Sequence, residues 1–239
     1  MSRIENMNIE YKVSLRLKIS KLGVTAIDHG YQKHVFGSHS QYLEDIFLDG
    51  IFSGRKHGCY IDIGANDPDE LNNTKRFYEN GWSGINIEPN SILYERFIEK
   101  RPDDINLNVG IGDITSELKF YEMDPHTLST FKKSEIPESI KKHSAHLVAE
   151  KIVPVITLSE VFKWHVKGRH VDFISIDTEG FEYQVLAGND WDKYRPAILV
   201  MEVDHDHKKG LTNLLDSLNY QLVFHNGLNG FYADRKQFP

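Results

Sequence analysis

Apolar and polar positions alternate along this chain with two distinct periods. From Gly58 onward, the runs "CYIDI", "GINIE", "INLNVGIGD", "VDFISID" and "AILVMEVD" are short and apolar on both faces. Runs of this kind predict buried strands. Helical spacing fills the intervals: "DELNNTKRFYENG" up to Gly81, "SILYERFIEK" before Arg101-Pro102, "LSEVFKWHV", "GFEYQVLAG" closed by Gly188, and "LTNLLDSLN". Upstream, residues 41–52 place Leu43, Ile46, Phe47, Ile51 and Phe52 on one helical face, so a helix leads into the main domain. "ELKFYEM" reads as a short extra strand, and "KIVPVITL" as extended. "YQLVFHNGLNGFYADR" reads as two strands joined around Asn226-Gly227-Leu228.

Alternating strands and helices of this type predict an α/β domain with a mostly parallel sheet covered on both faces. The closing pair of strands, with no helix between them, predicts one antiparallel edge. Two segments fall outside the alternation. Residues 8–23 fit neither period, and the chain up to residue 37 is expected to be an appendage that packs on the domain at 38–239 or on a second copy. A homodimer is compatible with that appendage. Residues 124–150 are polar and rich in Lys, His and Ser, with partial helical character, and suit a lid over a binding site.

Composition narrows the classes. The chain has 239 residues, 40% hydrophobic and 26% charged, as expected of a soluble globular protein with one sizeable core. No apolar run approaches the roughly 20 residues of a membrane span, and the first residues lack a secretory apolar core. The expected location is the cytoplasm. A net charge of −7 argues against general nucleic-acid binding. The single cysteine, Cys59, excludes an internal disulfide and a cysteine-based zinc site. Its place before an apolar strand suits a small buried hydrophobe better than a nucleophile.

Candidate chemistry comes from the strand ends, where doubly wound sheets bind ligands. Asp62, Glu88, Asp113, Asp177 and Glu202 each lie at or just past the carboxyl end of a predicted strand. The loop after the first strand, "GANDPDE", lacks the Gly-x-Gly-x-x-Gly spacing that admits a pyrophosphate, and it carries carboxylates that repel one. Asp67 and Asp69 also suit capping of the following helix. Carboxylates do not repel a sulfonium or an ammonium. S-adenosylmethionine carries both cations and no phosphate. On this reading Asp62 faces the methionine end, Glu88 takes the ribose hydroxyls, and Asp113 accepts from the adenine amino group. The competing binding module, an NAD site, is disfavoured by the missing glycines.

"YIDIGANDPDELNNTKRFYENGWSGINIEPN" resembles the first half of the FkbM-type methyltransferases. "FISIDTEGFEYQVLAG" is similar to that family's second motif, "AILVMEVDH" to its next strand, and "SHSQYLEDIFL" to a leading segment found in one branch. The resemblance covers roughly residues 38–235. It implies a Rossmann-like class I methyltransferase fold that uses S-adenosylmethionine for O-methylation, often of sugars in surface polysaccharides, glycolipids or secondary metabolites. It maps the cofactor site onto Asp62, Gly64, Asn66, Glu88 and Asp113, with Gln41, Asn73 and Thr74 toward the methionine end.

Methylating a sugar hydroxyl needs a general base, a metal that acidifies the hydroxyl, or both. The candidates stand on two neighbouring strand ends, Asp177-Thr178-Glu179 and Glu202-Val203-Asp204-His205. Asp177, Glu202 and either Asp204 or Glu179 offer hard oxygen ligands for Mg²⁺. The metal-free alternative makes Asp177 or His205 the base. Glu179 and Glu182 also suit a simple helix-start role, and the Asp204–His207 run a solvated loop. Lys132, Lys133, Lys141, Lys142, His143 and His146 make the 124–150 segment locally basic. They suit either a solvated helix face or contact with the diphosphate of a nucleotide-activated sugar. The expected function is therefore an O-methyltransferase acting on a sugar or sugar nucleotide for capsular polysaccharide. A secondary-metabolite or glycolipid acceptor is the alternative.

Overall fold

The computed structural model describes residues 37–203 and 208–238. The expected appendage lies outside the described residues apart from Gly37, as do Asp204, His205 and His207. The first half of the domain runs α1 (Glu44–Ile51), β1 (Cys59–Ile63), α2 (Lys75–Glu79), β2 (Ser83–Ile87), α3 (Ser91–Lys100), β3 (Ile105–Leu107), β4 (Gly110–Gly112) and β5 (Ser116–Asp124). The second half runs α4 (Ile136–His143), β6 (His146–Thr157), α5 (Leu158–Val161), β7 (Phe173–Ile176), α6 (Glu182–Ala187), β8 (Ile198–Glu202), α7 (Lys208–Ser217), β9 (Tyr220–His225) and β10 (Asn229–Asp234).

Seven strands form the main sheet in the order β3-β2-β1-β7-β8-β10-β9. Strands β3, β2, β1, β7 and β8 pair in parallel, and β10 runs antiparallel to both of its neighbours. The mixed α/β architecture with a mostly parallel sheet is the one the periodicity predicts. The predicted antiparallel pair closes this edge of the sheet: β10 pairs antiparallel with β8, and β9 pairs antiparallel with β10 as the outermost strand. Burial explains the order. All six residues of β10 are buried, whereas Gln221 and Leu222 of β9 are exposed, and only an edge strand tolerates solvent there.

The pleat divides the core into two layers. Ile61, Ile63, Ile174, Ile176, Leu199 and Met201 face α5, α6 and α7. Tyr60, Phe173, Ile198, Val200 and Phe231 face the other way and pack with α1, Phe77 and Trp82. Asp62 and Ser175 share that second face with Tyr60 and Phe173 by alternation, so two polar side chains end an aromatic layer.

Two local expectations change. The helix predicted from Asp69 starts only at Lys75. Side chains in the loop take the amides that a longer helix would use: Asp67 accepts from the N–H groups of Asp69 and Glu70, and Asn72 from those of Thr74 and Lys75. The single strand predicted over "INLNVGIGD" divides into β3, in the main sheet, and β4, in a second sheet of order β4-β6-β5. Asn108 makes the break by donating to the carbonyls of Glu88 and Pro89. In the second sheet β5 and β6 are longer than predicted, because charged pairs such as Lys119–Glu150 and Lys151–Glu122 hold a polar ladder together. The 124–150 stretch accordingly contains the last residue of β5, α4 and the first residues of β6.

Candidate active site

β1 and β7 are neighbours, yet the chain leaves β1 toward β2 and returns to β7 on the other side. A doubly wound sheet binds ligands at that reversal. A cavity of about 410 Å³ lies there, within the range of small-ligand sites. Its floor comes from Asp62, Gly64 and Asn66 after β1, Glu88 after β2, and Ser175 and Asp177 at β7. The 124–150 segment supplies one wall through His126, Leu128, Phe131 and His143.

Gly64 makes the turn possible. Its φ is +73°, and a Cβ there would lie 1.8 Å from the Asp177 carbonyl oxygen. Only glycine lets the two strand ends approach so closely. The turn presents the Asn66 N–H to Glu88, whose carboxylate accepts from Asn66 at 2.7 Å and from the Asn90 N–H at 2.7 Å. Burial nevertheless pushes the Glu88 carboxyl up to about 8, with the neighbouring Asp62 and Glu122 charges adding to the effect. Asn66 lines the cavity, and its Oδ1 is buried with no hydrogen-bond partner among the described residues.

Asp62 is buried. Its carboxylate accepts from Thr74 Oγ1 at 2.7 Å and from Asn72 Nδ2 at 3.4 Å. Burial raises its pKa, opposed by Thr74, Arg101, Ser175 and Asn72. Asn73 lines the cavity and donates to Ser175 Oγ at 3.0 Å. Gln41 also lines it. Asp45 folds the turn that carries Gln41, accepting from Ser38 Oγ at 2.6 Å, Ser40 Oγ at 2.8 Å and the His39 N–H at 2.7 Å. Thr74 stands behind Asp62 and does not line the cavity.

The second group of acids meets at the ends of β7 and β8. Carboxylate oxygens of Asp177, Glu179 and Glu202 lie within 4.8 Å of one another. Asp177 lines the cavity and is exposed as a residue, with enough protein around its carboxyl to desolvate it. Its carboxyl is held well above the usual range by burial, then by Glu202, Glu182, Asp62 and Glu44. Glu179 is raised in the same way by burial and by Asp177 and Glu202. The loop has left-handed backbone at Glu179 (φ 51°) and Gly180 (φ 93°). Glu182 secures it, accepting from the Thr178 N–H, the Thr178 hydroxyl and the Gly180 N–H. Glu182 thus opens α6 as expected, with its charge in the first turn, and it also holds the preceding loop. Thr130 in the 124–150 segment donates to the Glu179 carbonyl at 2.8 Å. These three carboxylates could hold a hard divalent cation, or Asp177 with its raised pKa could take a proton.

The structure brings together Gln41, Asp62, Gly64, Asn66, Asn73, Glu88, Asp177 and Glu179 around one cavity, with Glu202 beside the last two. It does not bring Asp113 to them. Asp113 is exposed beyond β4, in the second sheet, because the chain leaves the main sheet after Leu107. His205 lies outside the described residues. Sequence reasoning missed Ser175, although a serine in the apolar run "FISID" was a visible signal. It also missed Arg101, which looked like an ordinary helix-end cation. Of the residues that make the 124–150 segment basic, only His143 is among the described lining residues, and no Lys or Arg is. Lys132 pairs with Glu135, and Lys142 with Glu138. Cys59 is buried as expected, with its thiol raised by burial.

Carboxylates line the cavity, and among the described lining residues there is no Lys or Arg. Together with the strand order, these features define a doubly wound α/β protein with its site at the switch point. The methyltransferase FkbM domain model matches residues 62–222, more than half of the chain. The chain belongs to the FkbM methyltransferase family, which supports a methyltransferase. No curated protein matches it. No helix among the described residues is long and apolar enough to cross a membrane.

Proposed function

We propose that this protein is an S-adenosylmethionine-dependent O-methyltransferase acting on a sugar hydroxyl. The observation that carries the reading is the pair Asp62 and Glu88, buried on adjacent strand ends of one cavity. S-adenosylmethionine supplies an activated methyl on a good leaving group. The chain's own residues align, desolvate and deprotonate. Asp62 faces the ammonium end, with Asn66 Oδ1 and Gln41 nearby as polar partners. Glu88 meets the ribose diol with the lone pairs that its two backbone amides leave over. Leu93, Val109 and Phe120 line the cavity beyond Glu88 and suit the adenine ring. The acceptor enters beneath the 124–150 segment and places its hydroxyl beside Asp177. Asp177 in its ionised form takes the hydroxyl proton, and its raised pKa makes that form a stronger base than an ordinary carboxylate. A divalent cation on Asp177, Glu179 and Glu202 would instead acidify the hydroxyl.

A second acceptor class, a glycolipid, is favoured by one observation. Ile140 of α4 and Leu147, Val148 and Ile152 of β6 expose apolar surface on and beside the 124–150 segment. The test is a methyl-transfer assay with S-adenosylmethionine against nucleotide sugars, free saccharides and glycolipids, with Mg²⁺ and with EDTA. Transfer to a sugar hydroxyl supports the proposal, and the preferred form of the sugar separates the two acceptor classes. Full activity in EDTA removes the metal. Transfer to no hydroxyl in any class would overturn the proposal.

A further inference from the structure

Arg101 is among the largest fully buried side chains of the protein. Its guanidinium donates to Thr74 Oγ1 at 2.8 Å, Asn72 Oδ1 at 2.7 Å and the Pro68 carbonyl at 2.8 Å. All three acceptors are neutral. The group is sandwiched by the Phe97 and Tyr78 rings, at 5.2 and 5.5 Å from their centroids. An arginine stays charged when buried, so it needs an anion close by. The hydrogen bonds point to one. Thr74 Oγ1 accepts from Arg101 and donates to Asp62 Oδ2 at 2.7 Å. Asn72 likewise accepts from Arg101 and donates to Asp62. Two side chains therefore connect a buried cation to the buried carboxylate, and each polarised bond strengthens the next.

We propose that Arg101 is a positioning residue for the cofactor: through Thr74 and Asn72 it keeps Asp62 ionised and aimed into the cavity, where Asp62 holds the cofactor's ammonium group. The inference rests on the S-adenosylmethionine reading above. Arg101 itself does not line the cavity. The other groups that act on Asp62 come from three strands. Tyr60 on β1 and Asp177 after β7 each feel its charge, and so does Glu88 after β2. Two of these are carboxyls that oppose ionisation of Asp62, and Arg101 at the end of α3 is the cation that favours it.

The consequence is a pH signature that a purely structural role lacks. Without the Arg101 charge, Asp62 keeps its proton to higher pH, and affinity for an ammonium-bearing ligand fails at a higher pH. The experiment is calorimetric titration of S-adenosylhomocysteine from pH 5 to 9 into the full chain, its Arg101→Gln and Arg101→Lys variants, and Asp62→Asn. Arg101→Gln keeps donors and drops charge, whereas Arg101→Lys keeps charge and drops the planar fork. The expected result is a pH midpoint for binding displaced upward by about one unit or more in Arg101→Gln, with affinity at least ten-fold weaker below that midpoint and recovering above it. Arg101→Lys should restore the midpoint, and Asp62→Asn should lose it, keeping only the dependence that the Glu88 carboxyl contributes. If Arg101→Gln does not fold, Thr74→Val breaks the same relay and should displace the midpoint in the same direction. Equal loss at every pH, or an unmoved midpoint, would overturn the inference for Arg101 alone. Undiminished binding by Asp62→Asn would overturn it together with the placement of Asp62. Failure of the unmodified protein to bind would overturn it together with the cofactor reading.

Discussion

At the scale of the residue, the site is a set of acids crowded by the surrounding protein: Asp62 and Glu88 are buried, Glu179 is half-buried, and Asp177 is exposed. Asp62, Glu88, Asp177 and Glu179 all have pKa values raised by burial. A carboxyl raised in the folded state binds its proton more tightly there than in the unfolded chain. Its stabilising contribution is complete below the ordinary carboxylate pKa and is lost as pH rises through the folded value. The ligand-free protein should therefore lose melting temperature as pH rises above the ordinary carboxylate range. Glu179→Gln removes one member of the cluster, and its melting temperature should fall less steeply with pH. Parallel slopes for the two proteins would show that Glu179 is not held proton-bound by its neighbours. The residues legible in the sequence were those whose type and place at a strand end were both unusual: Asp62, Glu88, Asp177. Arg101 was illegible because burial of a helix-end arginine depends on Thr74, Asn72 and Phe97 meeting it in space. Asp113 looked equivalent to Asp62 because a strand end in sequence does not say which sheet the strand joins.

At the scale of the element, the parallel strands were legible because both of their faces are apolar. Two small structural choices were not. The 67–74 loop is made by side chain-to-backbone bonds from Asp67 and Asn72 that compete with helix. The pairing of β5 with β6 takes in residues 146–150, in a segment that reads as polar and partly helical, and Lys119–Glu150 and Lys151–Glu122 pair across it. The floor of the site rests on the aromatic layer under β1 and β7. Phe173 lies at its centre, with the rings of Phe77, Tyr60, Phe52 and Trp82 at 4.8, 5.8, 6.0 and 6.1 Å. Phe173→Ala should destabilise the protein by about 3–5 kcal/mol, measured by urea unfolding. A loss below about 1 kcal/mol would mean that the layer does not carry the sheet.

At the scale of the whole molecule, the strand order sets everything else. Reversal between β1 and β7 opens one cavity, the second sheet with α4 walls it, and the acidic group at β7 and β8 closes its far side. The sheet order brings Asp62 and Glu88, 26 positions apart in sequence, and Asp177, from the second half of the chain, to a single cavity. Family membership supports methyl transfer, and the carboxylates of the cavity support the proposed S-adenosylmethionine site. The measurement that tests this most directly is calorimetry with S-adenosylhomocysteine on the unmodified protein, Asp62→Ala and Glu88→Ala, each checked for cooperative melting. The account predicts binding by the unmodified protein and none by either variant, with all three folded. Tight binding by both variants would contradict it.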